Sequence, residues 1–498
     1  MSKKVVVIGS GLGGLTCGYI LQKSGYDVTI LEQGAQIGGC LQCFYRRGAK
    51  FETGMHFVGS AEPDQTMGHI LRYFGLDKDM ALSPLDTSGY NTVSLAGNKF
   101  LFPNGREAFM ERFSDYFPKQ KDALAKYIDI INQIAESSTL NSLTSNKRDV
   151  IVDTEYQTLS INAVLDSLFT DELLKNALVG DLPLYAAEYG KTPFSQHAYI
   201  MDFYNNSAFR IVGGSDVISS SLTKSIRQMG GEVLASKRVV KVCCDDTKAT
   251  GVITADEVFH SADYVISTIH PNRLLEILDT KLIRPAFRSR ISNIPQTASC
   301  FTVYLKFKEG AMPYMNTNYY GYAAETPWNC ENYTAESWPK GFLYMHMCSE
   351  QSPAYAKSGV LISYMKMEDV LKWKGGKIGR RGEEYESFKR EYAERLIDEV
   401  EKHQPGLRAT IDCYFTSTPL TYLDYTGTEE GSMYGVAKDV NLGAGGRVPY
   451  RTKVPNLLLA GQNVNSHGIM GVIVGTIVVC SELVSAEEIY KQINEISR

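Results

Sequence analysis

Val5-Val6-Val7-Ile8-Gly9-Ser10-Gly11-Leu12-Gly13-Gly14 is a short apolar run that breaks into a cluster of glycines. Four β-branched residues in a row suit a strand buried on both faces. The glycines then fall as G-x-G-x-x-G, with Gly9, Gly11 and Gly14 at the motif positions and Gly13 between them. Gly9 permits the tight turn, Gly11 lets the backbone approach a pyrophosphate, and Gly14 lets the following helix close on the strand. That helix runs through Leu15, Tyr19, Ile20 and Leu21 and stops near Gly25. Its N-terminus offers unpaired N–H groups and the positive end of the helix dipole to phosphate.

A second strand, Asp27–Leu31, ends at Glu32. An acid at that tip can accept hydrogen bonds from both ribose hydroxyls and would repel a 2′-phosphate. Strand, turn, helix, strand and acid follow one another within about thirty residues, as a βαβ dinucleotide unit requires. Two further glycines, Gly38 and Gly39, then precede Cys40 and suggest a second close approach of backbone to ligand.

The order acid, short loop, Gly38-Gly39-Cys40 and then Phe51-Glu52-Thr53-Gly54-Met55-His56 resembles the flavin-containing amine oxidase and phytoene desaturase superfamily. The resemblance implies FAD as cofactor and a segment around Met55-His56 beside the isoalloxazine. It also implies that Val239 contacts the adenine and that the C-terminal run Ala460-Gly461-Gln462-Asn463 ends a strand near the ribityl chain. Gly468-Ile469-Met470-Gly471 would then open a helix aimed at the flavin pyrimidine ring. Such a helix start stabilises negative charge there and makes the flavin easier to reduce. The superfamily usually has Asp where Asn463 stands, so the charge at that contact is gone. Within the superfamily, Ser417-Thr418-Pro419-Leu420-Thr421-Tyr422, Tyr425-Thr426-Gly427 and Gly431-Ser432-Met433-Tyr434-Gly435 look closest to the all-trans-retinol 13,14-reductase branch.

The implied fold is α/β. It has a Rossmann-like FAD-binding domain of the glutathione reductase type, interleaved with an α+β substrate domain. Segments 1–80, 210–295 and 446–498 would build the first; 81–209 and 296–445 would build the second. Segment 81–209 reads as mostly helical. Asn104 stands where it can cap a helix, with Glu107 at capping-box spacing. Phe109, Met110, Phe113, Tyr116 and Phe117, resumed after Pro118 by Leu124, Tyr127, Ile128, Ile131 and Ile134, form a stripe that faces a core, a lipophilic tunnel or a membrane surface. In the second segment, Cys300–Lys308 alternates Phe301, Val303, Leu305 and Phe307 with Thr302, Tyr304 and Lys306, the pattern of a half-buried strand. It would belong to an antiparallel sheet covering the flavin.

At 498 residues the chain is long enough for two domains, and its 44% hydrophobic and 21% charged content is globular. The 51 basic and 56 acidic residues leave a net charge of −5, which argues against nucleic-acid binding. The ten cysteines show no disulfide-scaffold spacing and no second Cys/His pair at metal-ligand spacing, so reduced thiols, a cytoplasmic location and no metal are expected. Cys40-Leu41-Gln42-Cys43 is a C-x-x-C, but its surroundings differ from a thioredoxin-type redox motif. No run is long enough to span a membrane. Peripheral contact with a membrane surface stays compatible with the sequence.

Flavin chemistry on a lipophilic small molecule needs a proton source beside the hydride. The candidates are His56, His467, Tyr422 and Tyr434, although the chain has 30 tyrosines and most must serve packing. Saturation of a C=C bond in a polyene or enone is the first expectation. Carotenoid desaturation and redox-neutral cis–trans isomerisation use the same flavin, and amine oxidation would require an aromatic cage. A lipid-binding escort protein of the same fold is the non-enzymatic alternative, disfavoured by the intact glycines and Glu32. The electron donor is unknown. NAD(P)H is one candidate, and no second G-x-G-x-x-G marks a site for it.

Overall fold

A computed structural model describes residues 2–137 and 155–496. Its centre is a five-stranded sheet in the order Glu232–Leu234, Asp27–Leu31, Lys4–Ile8, Tyr264–Ser267, Leu457–Leu459. Every pairing is parallel. Parallel sheets are covered on both faces, which is why Val5–Ile8 carries no polar alternation. Val5 and Val7 join one apolar cluster and Val6 and Ile8 join another on the opposite face. Each such side chain contributes about 1.5–3 kcal/mol on burial, so four in a row hold the strand at the centre.

Two helices meet at the C-terminal edge of this sheet. Leu12–Lys23 follows the glycine turn, and Gly468–Cys480 follows the last strand. They touch along small residues, with the Thr16 hydroxyl donating to that of Thr476 at 3.0 Å. A Cβ on Gly13 would lie 3.0 Å from the Gly461 Cα, so the two strand-to-helix turns come together because both carry glycine. Val239 opens the strand Val239–Cys244, in an antiparallel three-stranded sheet with Ala249–Thr254 and Phe259–Ser261.

The second sheet has seven strands, ordered Ile411–Ser417, Cys300–Phe307, Ser358–Tyr364, Gly341–His346, Asn318–Tyr322, Asn91–Leu95, Asn98–Phe102. Two expectations are corrected here. The sheet is mixed, because Asn318–Tyr322 pairs in parallel with Asn91–Leu95. Its last two strands come from segment 81–209, so that segment is not simply helical; residues 138–154 of it lie outside the described residues. The hairpin turns at Ala96-Gly97, both with positive φ, and this local turn chemistry overrides the helical surroundings.

Cys300–Phe307 is also buried on both faces rather than half-buried. Phe301, Val303, Leu305 and Phe307 pack with the helix Glu383–His403, while Tyr304 belongs to the core on the other side. The helix Arg106–Tyr116 is capped by Gly105, not Asn104, whose side-chain amide donates instead to the Tyr204 carbonyl at 2.8 Å. Of the stripe, Phe109, Phe113, Phe117, Leu124, Tyr127, Ile131 and Ile134 lie in one core cluster and the half-buried Met110, Tyr116 and Ile128 pack against it, so the stripe is packing and not a tunnel wall.

Candidate active site

One cavity of about 1360 Å³ runs from the glycine turn to the underside of the seven-stranded sheet. Pockets for a single small ligand occupy about 300–1,000 Å³, so this one has room for a cofactor and a substrate together. Gly9, Gly11, Gly13, Glu32, Gly38, Gly39, Cys40, Val239, Gly461, Gln462, Asn463, Ile469, Met470 and Gly471 all line it, together with His56, His467, Tyr422 and Tyr434. Of the sequence candidates only Gly14 is absent from the lining, because its place is behind the wall. A Cβ there would lie 1.9 Å from the Gly9 carbonyl oxygen, so Gly14 brings helix onto strand as the motif requires.

Gly11 behaves differently. It begins the helix at φ −63°, and a Cβ there would meet nothing within 4 Å. Steric packing within the protein therefore does not account for this glycine, and the space beside it is open to a ligand. Gly39, with φ +55°, sits against Gly11, its notional Cβ 3.1 Å from the Gly11 Cα, so the second glycine pair completes the same cradle. The residues present thus fit a dinucleotide whose pyrophosphate lies over the helix start.

Glu32 is held before any ligand arrives. Its Oε2 accepts from the Ser10 backbone N–H at 2.9 Å and the Ser10 hydroxyl at 2.7 Å, and its Oε1 accepts from the Gly34 N–H at 2.8 Å. The same Ser10 hydroxyl accepts from the Gly38 N–H at 3.3 Å. Ser10 therefore ties acid, first turn and second glycine pair together, a role that sequence reading missed although the residue lies inside the motif. Asn463 Oδ1 accepts from the Val436 N–H at 3.1 Å. An uncharged side chain can anchor that loop and keep its NH₂ group for a ligand.

The four proton-source candidates are all at the cavity but differ in setting. His56 lies 3.6 Å from the Glu52 carboxylate, and its carbonyl accepts from the buried guanidinium of Arg210 at 3.2 Å. His467 caps the Gly468–Cys480 helix and stacks on Tyr434, ring centroids 4.3 Å apart. Loss of hydration, with Lys438 nearby, pulls its imidazole down to about 3, so it is neutral at pH 7. Gln196 hydrogen-bonds its Nε2 at 3.0 Å. The Tyr422 hydroxyl accepts from the Cys300 thiol at 3.2 Å, and that of Tyr434 donates to the Pro183 carbonyl at 3.3 Å. Burial raises both phenols well above their ordinary range.

Sequence reading also missed Lys438, which lines the cavity and whose ammonium burial lowers to about 8. No periodicity or motif marks it. The Cys40 and Cys43 thiols are free and pushed upward by burial, Cys43 to about 12. Raised thiols are poor nucleophiles, which disfavours a redox dithiol.

A parallel sheet with its glycine-lined ligand cradle at the strand ends, roofed by a second sheet over an apolar chamber, defines a flavin-dependent oxidoreductase. The chain belongs to the flavin containing amine oxidoreductase family, whose model matches residues 12–475. It is similar to the all-trans-retinol 13,14-reductase of Rattus norvegicus, at 25% identity over 98% of this chain and 86% of that protein. It also resembles the 1-hydroxycarotenoid 3,4-desaturase of a Flavobacterium species, at 22% identity over 94% and 96%. Among solved structures, an oxidoreductase from Methanosarcina mazei superposes with a TM-score of 0.66 at 17% identity, covering 96% of this chain and all of the other.

Proposed function

We propose that this protein binds FAD and saturates a C=C bond of a lipophilic polyene or enone. One observation carries the reading: the cavity that begins at the dinucleotide cradle continues into a chamber walled by Phe203, Leu343, Met345, Ile362 and Met433. An extended apolar molecule suits such walls, and the Rattus relative bears the name of a polyene reductase. Tyr425 lines the cavity and is 63% exposed, which marks an entry rim for a substrate arriving from a lipid surface. Among the described residues no helix is long and apolar enough to cross a membrane, so contact with lipid would be peripheral.

Bound in the cradle, reduced FAD supplies a hydride. The chain's own residues do the rest. Gly9, Gly11, Gly38 and Gly39 would admit its pyrophosphate, and Glu32, held by Ser10, would accept from its adenosine ribose. The N-terminus of Gly468–Cys480, with His467 at its N-cap position, would present its N–H groups to a flavin held in the cavity. Arg210 holds His56 by its carbonyl, and the apolar walls align the polyene and exclude water.

Carotenoid desaturation is the second reading, favoured by the name of the Flavobacterium relative. A yellow preparation, or one that FAD turns yellow, is the first expected result; a protein that cannot take up FAD overturns both readings. Anaerobic incubation with polyenes and unsaturated ketones, followed by mass spectrometry, separates them. Gain of two hydrogens from reduced protein supports saturation. Loss of two hydrogens to oxidised protein supports desaturation, and unchanged mass with altered retention supports isomerisation.

A further inference from the structure

The cavity is polar at one end of a helix and apolar at the other. Helix Phe194–Asn206 lays one face along it, through Gln196, Tyr199, Ile200, Phe203 and Tyr204, at the three- and four-residue spacing of a helical stripe. Gln196 and Phe203 stand two turns apart, about 10 Å along the axis. At the far end the wall is aromatic: Tyr204 meets Phe203 and Phe57, with ring centroids 5.0 and 4.6 Å away. At the near end Gln196 Nε2 bonds to His467 Nε2 at 3.0 Å, and both side chains share a small recess with Lys438.

Lys438 is half-buried and lines both the recess and the main cavity. The backbone fixes its place, since the Ala437 N–H donates to the Pro295 carbonyl and the Val440 N–H to the Lys191 carbonyl, each at 2.9 Å. Among the described residues its ammonium has no hydrogen bond and no ion pair. Two acids border it, and both are committed elsewhere. Glu188, in the same recess, holds Lys191 at 2.5 Å, and Asp439 Oδ1 accepts from the Asn441 N–H at 2.8 Å. The other titratable groups of the recess bring no negative charge. The Tyr185 hydroxyl pairs with His197 Nδ1 at 2.9 Å, and His467 is neutral at pH 7. The charge that does act on Lys438 is a second cation, Arg447, which lines the cavity and donates to the Gln157 side chain at 3.1 Å. Gln196 adds a buried Oε1 with no partner. Charge and polar groups withdrawn from water without partners are costly, so this end of the cavity is built for a polar head group that the protein does not itself supply.

We propose that Lys438, seconded by Arg447, forms an anion subsite that takes the carboxylate of a lipophilic unsaturated acid, whose apolar chain lies along helix Phe194–Asn206. The inference rests on the reading of this cavity as a site of C=C reduction and names the substrate class for it. A carboxylate supplies the missing counter-charge and accepts a charge-assisted hydrogen bond from the ammonium. An alcohol or ester head leaves the charge unmet. The pyrophosphate of FAD has its own cradle at Gly9, Gly11, Gly38 and Gly39, whereas Lys438 stands by the other strand-to-helix turn, beside His467.

Binding of all-trans-retinoic acid, all-trans-retinol and methyl retinoate to the oxidised, FAD-loaded protein tests the subsite without turnover. The three probes share one polyene chain and differ at the head, and quenching of tryptophan fluorescence reads each. The expected result is an acid bound about 10- to 100-fold more tightly than the alcohol or the ester, the range of one charge-assisted hydrogen bond. Lys438→Met removes this preference and leaves ester affinity and FAD content unchanged, while Lys438→Arg keeps it. In the wild type the preference fades as pH rises above about 8, where the ammonium loses its proton. Equal affinity for acid and ester, or a preference that survives Lys438→Met, overturns the proposal. So does loss of FAD from Lys438→Met, which assigns the ammonium to the cofactor. Displacement of the acid by NADPH but not by NADH assigns the cations to a phosphate and overturns it too. A protein that selects the acid through Lys438 yet reduces no double bond keeps the subsite and overturns the functional reading. One that reduces retinol without selecting the acid does the opposite.

Discussion

The carboxylate of Glu32 accepts two hydrogen bonds from one residue, the backbone N–H of Ser10 at 2.9 Å and its hydroxyl at 2.7 Å. The acid at the end of the second strand is thereby locked to the turn after the first. Charged hydrogen bonds contribute about 1.5–3 kcal/mol each when a partner is lost. Replacing Glu32 by Ala should weaken FAD binding about 10- to 100-fold, and Ser10→Ala should weaken it less. Titration of the apoprotein with FAD, followed by flavin fluorescence, measures both. Equal affinity in Glu32→Ala and wild type would remove Glu32 from the cofactor site.

Gly11 and Gly14 separate cofactor binding from folding. The notional Cβ at Gly11 meets no atom, whereas that at Gly14 falls 1.9 Å from the Gly9 carbonyl oxygen. Gly11→Ala should leave the melting temperature of the apoprotein unchanged or slightly raised, since Gly→Ala at a compatible φ stabilises by about 0.4–1 kcal/mol. It should nevertheless block FAD. Gly14→Ala should lower the melting temperature itself. Calorimetry of the apoproteins beside an FAD titration distinguishes the two; a strongly destabilised Gly11→Ala would contradict the assignment.

The buried Asp181 leaves a signature in stability. Its folded carboxyl, lifted to about 7, lies above the ordinary value of 3.8. Its contribution is fully present below the ordinary value and is lost as pH rises towards the folded one, by about 1.4 kcal/mol per pH unit. The stability of Asp181→Asn relative to wild type should therefore climb between about pH 4 and 7 and level off above. Urea unfolding at several pH values reads this directly. A flat difference across that window would mean the carboxyl is not perturbed.

His467 should titrate far below neutrality. Burial, with Lys438 adding to it, lowers the imidazole to about 3. Its ring resonances in the apoprotein should then stay constant from about pH 5 to 8 in an NMR titration, with His467→Asn identifying the signal. A midpoint near 6.5 would restore His467 as a charged acid.

Much of the cofactor side was legible because its glycines and strands lie in local order. Val5–Ile8, the turn to Gly14 and Glu32 sit within one βαβ unit, where sequence spacing and spatial spacing agree. The seven-stranded sheet was only partly legible. Its last two strands, Asn91–Leu95 and Asn98–Phe102, are far in sequence from Asn318–Tyr322, and a parallel pairing leaves no local trace. Cys300–Phe307 misled by alternating polar and apolar residues while burying both, since Tyr304 packs with Phe44 and Phe51. Asp181 and Lys438 were invisible for a related reason. Each is a single charged residue whose meaning comes from what the fold wraps around it.

The central claim is reduction of a carbon–carbon double bond at the cavity. Its most direct test is one anaerobic turnover: the FAD-loaded protein is photoreduced, mixed with all-trans-retinol, and followed at the flavin absorbance before product mass is taken. Return of the oxidised flavin band with a product heavier by two hydrogens is the predicted result. A flavin that stays reduced in the presence of retinol and of carotenoid and enone substrates alike would contradict it.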